Sequence, residues 1–302
     1  MTYTTRPLVS VLMTAYNREA FLPAAIESVL SQWWTDFELV IVDDRSSDRT
    51  LDIAREYARR DQRIRVHANE RNLGDYANRN HAASLARGEL LKFQDSDDIM
   101  YPHCLTVMVG ALQAEPRAGF GLSRSRAWPG GPVPMFLTPR QAYQREFLGF
   151  GMFMCGPAGA MFRTEVFREL GGFEDFGAPS DAIFWMRACA RYPVLLLPAD
   201  LFYYREHPGQ TLRSPNVARQ YAKVPAHMWR ALADPACPLD DRERAVARRN
   251  VTFNTAKSAW RAARHRDFGL AWHRVVASEI TPAEWLRYLK PPRRSVLAGV
   301  SP

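Results

Sequence analysis

The 302-residue chain has no apolar run approaching the roughly 18 residues that a membrane-spanning helix needs. Its opening residues, Met1 to Pro7, show no basic segment followed by an apolar one, so no secretory leader is expected. Cysteine is scarce. Cys104, Cys155, Cys189 and Cys237 lie far apart and form no CxxC pair, which suits reduced thiols in a cytoplasmic protein better than a disulfide frame or a zinc site. No GxGxxG follows the first apolar stretch, which disfavours a nicotinamide-dependent oxidoreductase. That stretch runs instead into Ala15-Tyr16-Asn17-Arg18, not the glycine-rich basic loop of a nucleotidyltransferase. There is no internal repeat and no low-complexity tract.

What is present is ordinary in bulk and uneven in charge. Hydrophobic residues make up 47% and charged residues 24% of the chain, as in a globular protein. Residues 1–214 hold 24 Lys and Arg against 25 Asp and Glu, while residues 215–302 hold 16 against 7. The reading is therefore a near-neutral body, 1–214, and a basic region, 215–302, in which Pro235, Pro238 and Pro282 separate several helices. Such a region suits an anionic partner (a membrane surface, a lipid-linked acceptor or an acidic polymer) or a solvated arginine-rich helical face.

The first half alternates between two periods. Val9–Thr14, Phe37–Val42, Ile64–His67 and Leu90–Phe93 read as strands, and Phe21–Gln32, a segment capped by Asp48, and Asp75–Arg87 read as helices between them. This order predicts an α/β fold with a doubly wound, mostly parallel sheet. Further on, 124–150 is rich in Pro and Gly and is expected to be a long loop. Asp181–Arg191 is expected to be a helix, and Val194–Leu197 and Leu201–Tyr204 strands.

The densest chemistry lies in Gln94-Asp95-Ser96-Asp97-Asp98, directly after the fourth strand. Carboxylates crowded there repel one another and are costly to keep ionised without a cation. Hard oxygens in that arrangement suit Mg2+ or Mn2+, with open positions for substrate phosphates. The position after the fourth strand rather than the first disfavours a phosphatase with a nucleophilic aspartate. In doubly wound sheets ligands bind beyond the carboxyl ends of the strands. Asn17, Asp43-Asp44 and Asp95-Asp97-Asp98 each follow such a strand, so three separate stretches should meet at one sheet edge.

Over residues 7–213 the pattern resembles the inverting family 2 nucleotide-sugar glycosyltransferases of the GT-A fold. The resemblance rests on Val9–Asn17, Glu38–Asp48, Asn72-Leu73-Gly74 with Arg79-Asn80, Phe93–Asp98, Gly171-Gly172-Phe173, Ser180-Asp181 with Trp185, and Tyr204-Arg205-Glu206-His207. It implies a GT-A domain over 1–214 and a divalent cation, Mn2+ or Mg2+. It implies a nucleotide-sugar donor, UDP-linked by expectation, and an acceptor hydroxyl on a glycan, a lipid-linked saccharide or a small molecule. Thr14, Ala15 and Asn17 would line the nucleotide pocket, and Asp43 or Asp44 would accept a hydrogen bond from the base. Arg79 would lie near the diphosphate. Asp95 would contact the ribose or the metal's waters, next to Ser96. Asp97 is the expected metal ligand, Asp98 the residue that serves in its place, and His207 would lie near the metal or diphosphate. Asp181 would be the general base. The chain departs from the family in having Ser180 where a Glu is common, which bears on acceptor contacts.

The resemblance also sets the expected context: polysaccharide assembly in a bacterium, in the cytoplasm, with 215–302 docking at the inner membrane face or forming a homodimer, and no nucleic-acid partner. With neither membrane spans nor a QxxRW motif, a processive membrane-embedded synthase is disfavoured. The alternative reading is a glycosyltransferase-like scaffold that binds sugar or nucleotide without turnover.

Overall fold

The computed structural model describes residues 6–210, 213–214 and 216–288. Residues 1–5, part of the stretch on which the absence of a leader was read, and 289–302, the end of the basic region, lie outside them. The chain forms two compact units built from interleaved segments: Met1–Phe136, Cys155–Asp175 and Pro193–Glu206 in the first, and Leu137–Met154, Phe176–Tyr192 and His207–Pro302 in the second. This is a different division from a single cut at 214/215, because 137–154 and 176–192 leave the α/β body and join the C-terminal helices.

The first unit is an α/β sheet. Strands β1 (Val9–Ala15), β2 (Phe37–Asp43), β3 (Ile64–Ala68) and β4 (Leu90–Asp95) are parallel. They alternate with α1 (Leu22–Leu30), α2 (Thr50–Arg60) and α3 (Asp75–Ser84). After β5 (Ile99–Met100) and α4 (Cys104–Ala114) come β6 (Phe120–Leu122), β7 (Met135–Leu137), β8 (Ala160–Arg163) and β9 (Val194–Leu196). The sheet order is β3-β2-β1-β4-β8-β6-β9-β7, with β8 antiparallel to both neighbours. This mostly parallel sheet flanked by helices is the expected fold class. β10 (Phe202–Tyr203) pairs antiparallel with β5 outside it. β2 is buried along its whole length and β1 everywhere but Thr14, as the near-continuous apolar runs of a doubly covered sheet require. Phe93, Phe167 and Phe173 pack ring against ring on this core, with centroids 5.4–5.5 Å apart.

The amino edge of the sheet is closed by a polar knot. Ser10 and Glu38, paired in register across β1 and β2, share a 2.6 Å hydrogen bond. Arg65 donates to Glu38 Oε2 at 2.8 Å, and the Arg87 N–H to Oε1 at 2.7 Å. The Gly88 N–H donates to Ser10 Oγ at 2.8 Å. These bonds capture 87–88, so α3 stops at Ser84, short of the Arg87 end read from the sequence. Burial alone would raise the Glu38 carboxyl, but the bonds from Ser10, Arg65 and Arg87 outweigh it and hold the pKa below the ordinary value. A depressed folded-state pKa stabilises above the ordinary carboxylate range, and that contribution is lost as pH falls through the folded value. Glu38→Gln is therefore expected to cost about 1.5–3 kcal/mol near neutral pH, the usual worth of hydrogen bonds to a charged group. In urea titrations the gap from the parent protein should close in acid. A gap that is constant with pH would refute the assignment.

Gly171 and Gly172 both take φ of +74°, and a Cβ on Gly172 would lie 2.5 Å from Asn80 Oδ1. Only glycine lets Asn80 bracket the Phe173 backbone with two bonds, to its N–H and from its own Nδ2 to the Phe173 carbonyl.

The second unit is helical: α5 (Pro139–Leu148), α7 (Ser180–Arg191), α8 (Val217–Tyr221), α9 (Val224–Ala233), α10 (Asp241–Arg264), α11 (Phe268–Ala277) and α12 (Pro282–Tyr288). The remaining helix, α6 (Thr164–Glu169), belongs to the first unit. β7 and α5 correct the expectation of a continuous loop over 124–150. Pro139, read as a breaker, sits in the first turn of α5, where its missing N–H costs nothing, and Thr138 with Gln141 forms a capping box. Asp240 and Glu243 cap α10 in the same way. α7 packs on α5 and α9, with Trp185 fully buried and the Tyr143 hydroxyl donating to the Met186 carbonyl at 3.0 Å.

Candidate active site

The register places the acidic strand ends side by side. Ala15 pairs with Asp43 and Thr14 with Asp95, so the carboxyl ends of β1, β2 and β4 form one edge. Each then turns sharply. Asn17 has φ of +52° and Arg45 of +66°. The Asn17 N–H donates to Ser46 Oγ at 2.9 Å and its Oδ1 accepts the Ser47 N–H at 2.9 Å, stitching the two loops together. Asp48 accepts the N–H and hydroxyl of Thr50 from one position ahead of the N-cap of α2, which is Arg49 rather than the Asp48 expected from the sequence.

The adjacent aspartates after β2 have separate environments. The Asp44 carboxylate accepts from Asn69 Nδ2 at 2.7 Å and from the N–H groups of Leu73 at 2.8 Å and Gly74 at 2.9 Å. It ties the 69–74 loop to the end of β2. Asp43 uses only Oδ2, on the Ser46 N–H at 3.0 Å, and its Oδ1 is buried without a hydrogen-bond partner. A buried polar atom of this kind calls for a partner, which at a strand end facing a cleft a water, an ion or a ligand atom can supply.

Arg79 lies on α3 and is buried. Its Nε donates to Asp75 at 2.9 Å and its Nη2 to Asp95 Oδ1 at 2.8 Å, while Nη1 is buried and unpartnered. Burial disfavours its charge, but Asp75 and Asp95 more than offset that and raise its pKa. Asn78 supports the helix by donating to the Val42 carbonyl at 3.2 Å.

The carboxylate cluster is electrostatically crowded. Burial first, then Asp95 and Asp97, push the Asp98 carboxyl up to about 8, against the opposing Arg205 N–H and Lys92. Asp98 Oδ1 accepts that N–H at 3.0 Å, and Oδ2 is buried without a partner. Asp95 is also raised, by burial, opposed by Arg79. Asp97, like Asp95, is only partly buried, and its Oδ2 pairs with Arg18 Nε at 3.1 Å. Ser96 is buried between them. Among the described residues no three His, Cys, Asp or Glu side chains close into a metal cage. A partial carboxylate set with mutual repulsion and a buried orphan oxygen nevertheless fits Mg2+ or Mn2+, which bind through one or two carboxylates and complete their shell with water and phosphate.

Three participants escaped the sequence reading. Arg18 follows β1 at the same edge and pairs with Asp97. The Arg205 backbone holds Asp98. Lys92 is fully buried in β4, with Nζ on the carbonyls of Phe93 and Ala158, and burial lowers its pKa. A charge inside the apolar run Leu90–Phe93 was the available signal for Lys92.

Asp181 and His207 belong to the second unit. Asp181 is in the first turn of α7, 9% exposed, and accepts the Ala182 N–H at 2.6 Å. The helix N-terminus favours its negative charge. It is not the N-cap residue, which is Pro179. Ser180 closes the preceding turn, accepting the Phe176 N–H at 2.8 Å and donating to the Gly177 carbonyl at 2.7 Å. His207 is buried at a turn in which its N–H donates to Gln210 Oε1 at 3.0 Å.

The chain is similar to known proteins in sequence and in fold. A Mycobacterium tuberculosis protein described as uncharacterized, MT1568, is 30% identical over 224 residues, covering 68% of this chain and 69% of its own. Against the first curated relatives matched, the chain spans only 34–39% of their length. Two solved structures share the fold at 19% identity. One is S. aureus TarS 1-349 in complex with UDP-GlcNAc, with a TM-score of 0.62 and 90% of each chain covered. The other is the mannosyltransferase PcManGT from Pyrobaculum calidifontis in complex with GDP-Man and Mn2+, with a TM-score of 0.65 and coverage of 91% of this chain and 76% of that one. Residues 10–171, more than half of the sequence, match the family model described as Glycosyl transferase family 2, and the chain belongs to that family.

Proposed function

We propose that the protein is a metal-dependent, inverting glycosyltransferase that moves a sugar from a nucleotide-sugar donor, UDP-linked by preference, to an acceptor hydroxyl on a glycan, a lipid-linked saccharide or a small molecule. The observation that carries this reading is the convergence of three unsatisfied buried atoms within one unit, Asp43 Oδ1, Arg79 Nη1 and Asp98 Oδ2. They supply an acceptor for a base N–H, a donor for a phosphate oxygen and a carboxyl oxygen that a cation would engage.

Asp43, rather than the already satisfied Asp44, reads the base, beside Thr14, Ala15 and Asn17. Arg79 serves the diphosphate. Asp95 and Asp97 hold the cation, with Asp98 behind them and His207 assigned to the same end of the donor by family resemblance. A bound divalent cation would offset the charge that develops on the leaving diphosphate. The acceptor oxygen forms a bond to the anomeric carbon on the face opposite the diphosphate. The bond from that carbon to the phosphate oxygen breaks, and the acceptor proton passes to the Asp181 carboxylate, again assigned by resemblance. No helix among the described residues is long and apolar enough to cross a membrane. The four free, buried cysteines suit a reducing compartment, and we assign the activity to the cytoplasm.

Calorimetry with UDP, GDP, CDP and dTDP, each with and without Mn2+, tests the reading. Binding of one nucleotide that strengthens with Mn2+ is expected, with UDP first because the UDP-GlcNAc-bound neighbour has this fold and GDP second because the GDP-Man-bound one does. Binding to none of the four by folded protein would overturn it.

A further inference from the structure

The C-terminal helices carry a surface that the donor site does not use. α11 is rich in apolar residues, yet none of its residues is buried. Phe268, Trp272 and Val276 recur at every fourth position, which places them on one helical face, and they are 68%, 71% and 55% exposed. The helix packs elsewhere, on α10 and α8. Near the end of α10, Trp260 is 60% exposed, with the Arg264 guanidinium 5.5 Å from its ring centre. Exposed aromatics gathered in one hairpin mark an interaction surface.

The charges flanking these rings along the chain are mostly basic, and the nearby Glu279 is paired with Arg230. From Lys257 to Val276 the chain carries Lys257, Arg261, Arg264, Arg266 and Arg274, against the single acid Asp267. The Asp267 carboxylate is engaged as the N-cap of α11, accepting the Leu270 N–H at 2.9 Å.

We propose that the Phe268–Trp272–Val276 face of α11, with Trp260 and the neighbouring arginines, docks this protein on an anionic lipid surface. Tryptophan and phenylalanine partition to the depth of lipid headgroups, and Lys and Arg beside them meet acidic lipids. A second copy on this face would bring like charges together. An acidic polymer would engage the arginines but leave the rings in water. The inference goes beyond the donor-site reading and stands or falls separately from it.

The test uses the full chain with vesicles of phosphatidylcholine and phosphatidylglycerol, and with phosphatidylcholine alone. Cosedimentation with the mixed vesicles is expected, weaker on phosphatidylcholine alone and at high salt. Brominated lipid should quench tryptophan emission in the unmodified protein. Phe268→Ser together with Trp272→Ser should lower vesicle affinity by roughly tenfold or more, with unchanged circular dichroism. Failure to bind the mixed vesicles at low salt, or no quenching by brominated lipid, overturns the proposal. So does unchanged binding by the folded double variant. Self-association that this variant abolishes, without vesicle binding, would assign the face to a second copy instead.

Discussion

Asp181→Asn is expected to lower turnover by about 10²–10⁴-fold, the range over which a positioned general base contributes, while nucleotide affinity stays nearly constant. The substitution preserves shape. An asparagine oxygen can still accept the Ala182 N–H that Asp181 Oδ1 accepts at 2.6 Å, so the first turn of α7 keeps its geometry. The loss of favourable charge at the helix N-terminus is small, about 0.3–1 kcal/mol. What disappears is the ability to take a proton. Single-turnover transfer alongside nucleotide calorimetry separates the two effects. A fall in transfer with intact binding supports the base assignment, and unchanged transfer removes it. Ser180 would not compensate, because its hydroxyl already closes the 176–180 turn.

The second large effect belongs to the carboxylate cluster, where substituting either of two neighbouring aspartates should weaken metal-dependent binding but only one should stabilise the metal-free fold. Asp97→Asn is expected to weaken Mn2+-dependent nucleotide binding by about 100-fold or more, because even residues supporting metal ligands are worth 10–100-fold. The metal-free fold should change little, since Asp97 is only partly buried and an asparagine oxygen can still accept from Arg18 Nε. Asp98→Asn also weakens metal-dependent binding, but it removes a buried carboxyl crowded by Asp95 and Asp97. Its amide can still accept the Arg205 N–H. The metal-free variant is therefore expected to unfold at a temperature higher by about 2–4 °C, the shift that 1 kcal/mol brings in a domain of 150–250 residues. Thermal melts with and without Mn2+ read both effects at once. Stabilisation by Mn2+ that is undiminished in Asp97→Asn would refute its role as ligand.

The alternation of buried strands and amphipathic helices made the sheet legible, because each parallel strand is a mainly apolar run with few polar interruptions and each crossover helix has its own punctuation. The shared edge followed from the strand ends alone. Two kinds of information stayed hidden. Pro139 reads as a loop signal until Thr138 and Gln141 are seen to cap a helix in which the proline sits at the first turn. Likewise, Asp43 and Asp44 look equivalent in sequence. Only the folded chain shows that Asp44 is saturated by Asn69, Leu73 and Gly74 while Asp43 retains an unused oxygen. Hydrogen-bond satisfaction is a property of three-dimensional neighbours, and no spacing along the chain encodes it. Arg18 and the Arg205 backbone were missed for the same reason.

Asp44 also bears on how donor choice diverges. On the donor-site reading proposed above, one of two adjacent carboxylates holds the 69–74 loop and the other is left for the base. The 69–74 loop, and through it the start of the helix bearing Arg79, is held without Asp43. Substitutions at 43 and in the 45–47 turn can therefore retune which base is accepted while the phosphate-facing half keeps its shape. Base preference becomes an independently adjustable trait, and one sheet edge can serve enzymes with different nucleotides.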